Sequence, residues 1–117
     1  MTGPEQLAQL FDALSHPVRV QVLAQLASQR EYVSELARIL GISRPLLYMH
    51  LQKLEAAGLV RGSLQLSDDG KAMKFYEIVP FQVRLSPGEL ATLDITQVIR
   101  FTDAASGPSE AGQTGRP

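Results

Sequence analysis

The sequence predicts a mainly α-helical fold with one small β-hairpin, and two stretches of the chain carry this prediction. Residues 33–60 are VSELARILGISRPLLYMHLQKLEAAGLV, the pattern of a short helix, a tight turn, a longer helix and a Gly-Leu-Val exit into a strand. Residues 59–79 contain two strand-like segments around an Asp-Gly turn. We therefore predict a winged helix-turn-helix of about five helices and a two-stranded wing, in one domain over residues 1–102.

Length, composition and charge limit the class of protein. The 117 residues, 44% of them hydrophobic, suffice for one domain with a small core, to which a partner subunit would add. The net charge of −1 argues against non-specific nucleic-acid binding, although residues 44–74 contain five basic and three acidic side chains. No apolar run approaches the roughly 20 residues of a membrane span, and the N-terminus lacks a signal-peptide pattern. We therefore expect a cytoplasmic protein with no membrane partner.

Two helices are predicted ahead of the helix-turn-helix. Thr2 and Glu5 have the spacing of a capping box. A stripe of apolar residues at helical spacing follows, formed by Leu7, Leu10, Phe11 and Leu14. His16 is expected to cap a second helix, in which Pro17 occupies the first turn and which extends to about Ser28.

Cap residues also delimit the helix-turn-helix. Ser34 is predicted to be the N-cap of its first helix, and Gly41 to adopt the left-handed conformation that ends it. Ser43 is the predicted N-cap of the second helix, with a proline in the first turn. Gly58 ends that helix and leads into strands over residues 59–66 and 73–79.

The C-terminal part of the chain is expected to contain one more helix. Ser86 and Glu89 form a second capping box, which opens a helix reaching about Phe101. Its apolar residues spread around most of the helical wheel, so a second subunit is expected to cover it. Residues 103–117, DAASGPSEAGQTGRP, contain no large apolar residue and are predicted to be a disordered tail.

The outer face of the helix over residues 43–57 is the candidate DNA-contacting surface. If its leucines at 47, 51 and 54 face the core, the opposite side carries polar residues suited to base and phosphate contacts. Gln52 can pair with adenine, and Arg44 with guanine or phosphate. The predicted DNA contacts are Ser43, Arg44, Pro45, Tyr48, Met49, Gln52 and Lys53 on the helix and Lys71 and Lys74 in the wing. An ordinary solvated helix face is the alternative for any one of them.

Residues 10–79 resemble the ArsR/SmtB-type winged-helix transcriptional regulators. The matching segments are LFDALSHPVRVQVLAQL, VSELARILGIS, MHLQKLEAAGLV and DGKAMKFYEI. The resemblance implies a homodimeric regulator whose first and last helices form the dimer interface. It also implies that this dimer binds a palindromic operator in double-stranded DNA. The residues expected in that dimer interface are Leu7, Leu10, Phe11, Leu90, Leu93, Val98 and Phe101.

A resident metal is not expected. Metal-sensing members of the resembling family carry a cysteine pair where this chain has Val33-Ser34-Glu35, or histidine and acidic ligands on the last helix, where this chain has Glu89 and Asp94 without histidine. A nickel or zinc site that uses His16 with a carboxylate or the N-terminal amine remains an alternative. His50 is expected to be a partly buried ring with its hydrogen bonds made.

Catalysis is not expected either. The adjacent carboxylates Asp68 and Asp69 are typical of a tight turn, in which neighbouring side chains point apart. No glycine-rich phosphate loop follows a strand, and the absence of cysteine excludes disulfides, thiolate metal sites and cysteine nucleophiles. A winged helix that binds a protein co-regulator is the second functional alternative.

Overall fold

The structure is a computed structural model that describes residues 2–102, and within this range it contains six helices and five strands. Their bounds are α1 Gly3–Leu14, α2 Pro17–Ser28, β1 Glu31–Tyr32, α3 Val33–Leu40, α4 Arg44–Ala56, β2 Val60–Leu66, β3 Ala72–Ile78, β4 Phe81–Val83, α5 Pro87–Ala91, α6 Ile95–Val98 and β5 Ile99–Phe101. The predicted disordered tail over residues 103–117 lies outside the described residues. Within residues 2–102, no helix is both long enough and apolar enough to cross a membrane.

The chain divides into two units. Residues 9–78 form the winged-helix unit, and, of the described residues, 2–8 with 79–102 form the terminal unit. In the winged-helix unit, α2, α3 and α4 pack together and enclose leucine and valine side chains. The innermost of these, none more than 2% exposed, are Val22, Leu26, Leu36, Leu47, Leu51, Leu54, Leu59 and Val60. The predicted helix-turn-helix and wing are therefore confirmed.

Two local interactions, one at each end, fix the conformation of the turn between α3 and α4. Gly41 adopts a φ of 69°, and its amide donates to the carbonyl of Arg38 at 3.2 Å, which ends α3. The hydroxyl of Ser43 accepts a hydrogen bond from the amide of Leu46 at 3.3 Å and so caps α4. Both predicted caps are confirmed. The predicted cap at Ser34 is wrong, because β1 leads directly into α3 and Tyr32 occupies the N-cap position without a side-chain hydrogen bond.

Gly41→Ala is expected to destabilise the winged-helix unit by about 1–2 kcal/mol, because an L-residue with a Cβ is strained in the left-handed region. No atom lies within 4 Å of the added Cβ, so the cost is conformational rather than steric. Gly41→Asn is the matched control, since asparagine tolerates this conformation better. Urea unfolding should rank the stability as wild type, then Asn, then Ala. Equal stability of the Ala and Asn variants would contradict the conformational explanation.

The wing is a regular antiparallel hairpin with a third strand beside it. Strand β3 lies between β1 and β2, and the register pairs Gly62 with Tyr76 and Leu64 with Lys74. The hairpin turn is closed by Ser67, whose amide donates to the carbonyl of Lys71 at 2.8 Å. Gly70 has a φ of 86°, as the predicted Asp-Gly turn requires. The short strand β1 was not predicted, because two residues give no periodic signal.

The terminal unit corrects one sequence prediction. The helix expected over residues 87–101 is replaced by the two short helices α5 and α6 and by strand β5, which pairs with β4. Between α5 and α6 the hydroxyl of Thr92 donates to the carbonyl of Glu89 at 2.7 Å, and the carboxylate of Asp94 accepts from the amide of Thr96 at 2.9 Å. In addition, the amide of Asp94 donates to the Thr92 hydroxyl at 3.1 Å, so the amides of Asp94 and Thr96 bond to side chains in place of the carbonyls that a continuous helix would offer. Leu93 between them has a φ of 52°.

The start of α1 belongs to the same terminal unit. Thr2 and Glu5 form the predicted capping box, with reciprocal hydrogen bonds of 2.9 and 3.2 Å. A Cβ added to Gly3 would lie 1.9 Å from the carbonyl oxygen of Leu93, so only glycine permits this approach of the two backbones. The first residues of the chain are thus packed against the turn between α5 and α6.

Candidate nucleic-acid interface

Helix α4 has one buried face and one exposed face. Leu47, Leu51 and Leu54 are fully buried. The opposite face presents the six helical residues predicted to contact DNA, all of them exposed: Arg44, Pro45, Tyr48, Met49, Gln52 and Lys53. The predicted orientation of the helix is thus confirmed by burial, while the contacts with DNA stay a prediction. Ser43, also exposed, uses its hydroxyl for the cap described above.

The two wing lysines have different surroundings. Lys71 is exposed beside the hairpin turn, next to Asp68 and Asp69. The pKa of Asp69 is lowered, because the Ser67 hydroxyl and then the Lys71 amide donate to its carboxylate, so the turn carries negative charge. Lys74 lies farther along β3, with its ammonium 5.6 Å from the centre of the Tyr76 ring. Its position away from the acidic turn makes Lys74 the better placed of the two for a phosphate.

A groove separates α4 from the wing. It has a volume of about 430 Å³ and is bounded by the start of α3, the first turns of α4 and the wing strands. Its lining residues, which define the wing groove, are Tyr32, Val33, Ser34, Arg44, Tyr48, Leu64, Ala72, Met73 and Lys74. Three of them, Arg44, Tyr48 and Lys74, are predicted DNA contacts. Sequence reasoning missed the others, because they come from four separate elements, β1, α3, β2 and β3.

On the buried side of α4, the ring of His50 lies next to the ring of His16. The Nδ1 atom of His16 accepts a hydrogen bond from the amide of Val18 at 3.1 Å and caps α2, as predicted. The ring centre of His50 lies 4.5 Å from that of His16, and His50 is only 3% exposed. The expectation that His50 has its hydrogen bonds made is wrong: within the described part of the chain, its buried Nδ1 and the Nε of Arg19 have no partner.

His50 is held in its neutral form. Burial lowers the pKa of His50 below its ordinary value of 6.5, and the nearby charges of His16 and Arg19 lower it further. Arg19, 8% exposed, is anchored by its guanidinium, which donates to the carbonyl of Asp12 at 3.0 Å. Protonation of His50 would therefore place a positive charge in a buried position that already contains the Arg19 guanidinium.

The stability of the protein is expected to fall as the pH drops below about 6.5, the pKa of an unperturbed histidine. Because the pKa of His50 is lower in the folded state, the unfolded state binds more protons in this range. The contribution of His50 is fully present above that pH and is lost on acidification. Urea unfolding between pH 5.5 and 8 checks this, with His50→Phe as the variant that cannot titrate. Parallel pH profiles for wild type and variant would contradict the role of His50.

The predicted dimer-interface residues differ in their exposure, with three of them buried, one half-buried and three exposed. Leu7, Leu10 and Val98 are at most 4% exposed in the single chain, so their side chains are already covered. Phe11 is half-buried. The exposed members all belong to the terminal unit, and they are Leu90, Leu93 and Phe101. Of the seven predicted residues, these three exposed ones are fully available to a partner subunit without rearrangement.

No residues in the described range converge as metal ligands. Within residues 2–102, no group of three or more histidine, cysteine, aspartate or glutamate side chains has an arrangement that could hold a metal ion. The Nδ1 of His16 is engaged by the amide of Val18, and Arg19 places a positive charge beside the His50 ring. A cation would therefore meet repulsion at the histidine pair.

The buried leucine face, the capped N-terminus of α4 and the adjoining hairpin define a winged-helix protein that binds DNA. Residues 16–61 match the family described as bacterial regulatory protein, arsR family. An uncharacterized HTH-type transcriptional regulator of Methanocaldococcus jannaschii is 40% identical over 76 residues, which are 65% of this chain and 79% of that protein. The chain belongs to the ArsR family and is a DNA-binding transcriptional regulator.

Two further comparisons agree with this assignment. The HTH-type transcriptional repressor SmtB of Mycobacterium tuberculosis is 41% identical over 54 residues, which are 46% of this chain but only 40% of that protein. The crystal structure of an ArsR family transcriptional regulator superposes with a TM-score of 0.54 and 32% identity, covering 62% of this chain and 75% of the other. The relatives are named as regulators, not as enzymes.

Proposed function

We propose that this regulator binds a palindromic operator as a homodimer and places α4 of each copy in the major groove. The observation that carries the proposal is that α4 is amphipathic, with one buried face and one exposed face. Its leucines fix the helix in the core, while the polar residues at its N-terminal end and along its outer face are exposed. Recognition helices of helix-turn-helix proteins contact base edges through this end.

The exposed residues divide into two proposed roles. Arg44 and Gln52 carry the donor and acceptor groups that distinguish base pairs in the major groove, so they are assigned to specificity. Lys53 is assigned to the phosphate backbone, and to reach a phosphate its ammonium must leave the exposed ion pair that it forms with the carboxylate of Asp12 at 3.7 Å. Lys74 is assigned to the backbone from the wing. A protein co-regulator would add affinity that a net charge of −1 does not supply.

The second copy is proposed to cover the apolar surface of the terminal unit. Leu90, Leu93 and Phe101 are 40%, 54% and 46% exposed, and Leu85 in the same unit is 56% exposed. Four large apolar side chains exposed in one small unit are typical of an association surface. A two-fold axis through this surface gives two identical recognition helices and hence a palindromic operator.

The experiment that tests the proposal is selection of binding sequences from random double-stranded DNA, followed by fluorescence anisotropy. Near-physiological salt and an excess of unrelated DNA remove the non-specific component. The expected result is a saturable site with two inverted half-sites about 10 base pairs apart. The measurement is repeated with nickel and zinc. Failure to enrich any sequence would contradict stand-alone recognition, and a metal-dependent change in affinity would contradict regulation without a metal.

A further inference from the structure

The wing groove has the dimensions of a small-molecule site. Its volume of about 430 Å³ lies within the range of roughly 300–1,000 Å³ found for ligand pockets. Its walls come from α3, α4 and the wing, which all belong to the winged-helix unit. The groove adjoins the exposed face of α4 and therefore the DNA-contacting surface proposed above.

Apolar side chains line the groove and are open to solvent. Leu64 is 68% exposed, and the residues Tyr32 and Tyr48 are 38% and 37% exposed. Apolar surface in a concavity gains free energy when an apolar ligand covers it. The wall beside Tyr32 is fixed, because its ring packs edge-on against Phe75 at 5.9 Å, and the guanidinium of Arg30 lies 4.6 Å from the Phe75 ring centre.

The charges in the groove have one sign. Arg44 and Lys74 are the charged side chains among its lining residues, and no carboxylate is among them. Arg44 makes no ion pair with any other residue in the described range. The fork of a guanidinium matches the two oxygens of a carboxylate and holds them more firmly than a single ammonium does. The hydroxyl groups of Ser34 and Tyr48 add further donors on the lining.

We propose that the wing groove binds a small aromatic carboxylate, with its ring against Leu64 and Tyr48 and its carboxylate on Arg44. Because Arg44, Tyr48 and Lys74 are also assigned to DNA, ligand and operator exclude one another. The ligand therefore releases the regulator from its operator. The proposal that the ligand binds depends only on the volume and lining of the groove. The proposal that it competes with DNA rests on the proposed function.

The binding step is tested by titrating the full chain with 2-naphthoate and following backbone amides by ¹H–¹⁵N NMR in the absence of DNA. Saturable shifts are expected for the groove residues, with a Kd in the millimolar range or below, about 4 kcal/mol of binding free energy. Arg44→Ala should weaken binding about tenfold. Lys71→Ala is the matched control, because this exposed lysine belongs to the same wing but does not line the groove. The uncharged analogue 2-naphthylmethanol should bind about tenfold more weakly than the carboxylate.

Three outcomes would overturn the site. They are the absence of saturation at about 10 mM, shifts confined to the exposed leucines of the terminal unit, and equal affinity for the carboxylate and its uncharged analogue. Both Arg44 and Lys71 are exposed, so neither variant is expected to unfold.

The competition is tested by anisotropy with labelled operator DNA. At 2-naphthoate equal to ten times its Kd, the apparent Kd for DNA should rise about elevenfold, as mass action requires for mutually exclusive ligands. Unchanged DNA affinity at ligand saturation would overturn the competition. Absence of DNA binding without ligand would count against the proposed function instead. The NMR titration would still show whether the wing groove binds the carboxylate.

Discussion

The double variant Arg44→Ala/Gln52→Ala should bind a selected operator about 10²–10³-fold more weakly than the wild type, while its affinity for unrelated DNA falls by less than about tenfold. Each base contact by an arginine or glutamine contributes roughly 1–3 kcal/mol of discrimination, so two contacts account for this range. Non-specific affinity depends on phosphate contacts, to which Gln52 contributes no charge. Anisotropy against both DNAs at one salt concentration measures the two losses.

Two checks accompany this experiment. Arg44 and Gln52 are exposed, so circular dichroism and urea unfolding should match those of the wild type. Lys74→Ala serves as the contrasting variant, because loss of one phosphate contact should weaken both DNAs about equally and reduce the salt slope by about 1. Equal losses on operator and unrelated DNA in the double variant would refute the assignment of Arg44 and Gln52 to base recognition.

Leu93→Asp is expected to convert the proposed dimer into monomers and to lower operator affinity by about 10²-fold or more, because two linked half-sites bind far more tightly than one. Leu93 is 54% exposed and has a φ of 52°. Aspartate accepts this backbone conformation more readily than leucine, so the monomer should remain folded. In the interface, however, the carboxylate would be desolvated without a partner. Sedimentation velocity gives the oligomeric state.

The control is Val20→Asp, which introduces the same charge at an equally exposed apolar residue, 52% exposed, in the winged-helix unit. It should leave sedimentation unchanged. Val98 is unsuitable for this test, because it is 1% exposed and its replacement by aspartate would destabilise the monomer itself. If Leu93→Asp sediments like the wild type at every concentration, the terminal unit is not the interface and the operator geometry proposed here fails.

Local signals predicted the part of the site on α4. The capping hydroxyl of Ser43, the left-handed Gly41 and the spacing of the three leucines are all encoded within one short stretch of sequence. A helix needs only neighbours three and four residues away for its hydrogen bonds and its buried stripe. The exposed face of α4 could therefore be predicted without knowing what the helix packs against.

The terminal unit shows where local reasoning failed. Its apolar residues are spread around a helical wheel, which suggested one continuous helix in a subunit interface. The hydrogen bonds of Thr92 and Asp94 interrupt that helix, and residues 99–101 pair with the distant residues 81–83 instead. Strand pairing supplies backbone partners, and Ile99 is already buried within the single chain, so part of the apolar surface needs no second subunit. The periodic pattern alone could not distinguish a continuous helix covered by a second subunit from short helices followed by a strand that pairs within the same chain.

The sequence by itself determined the helix-turn-helix, its caps at Gly41 and Ser43, the hairpin and the exposed face of α4, because these depend on interactions between residues close together in the chain. Only the tertiary structure decided three other features: the two-stranded pairing in the terminal unit, the contact of His50 with His16, and the wing groove. Each brings together segments separated by many residues. Their geometry depends on how whole elements pack, and no local periodicity or cap encodes that packing.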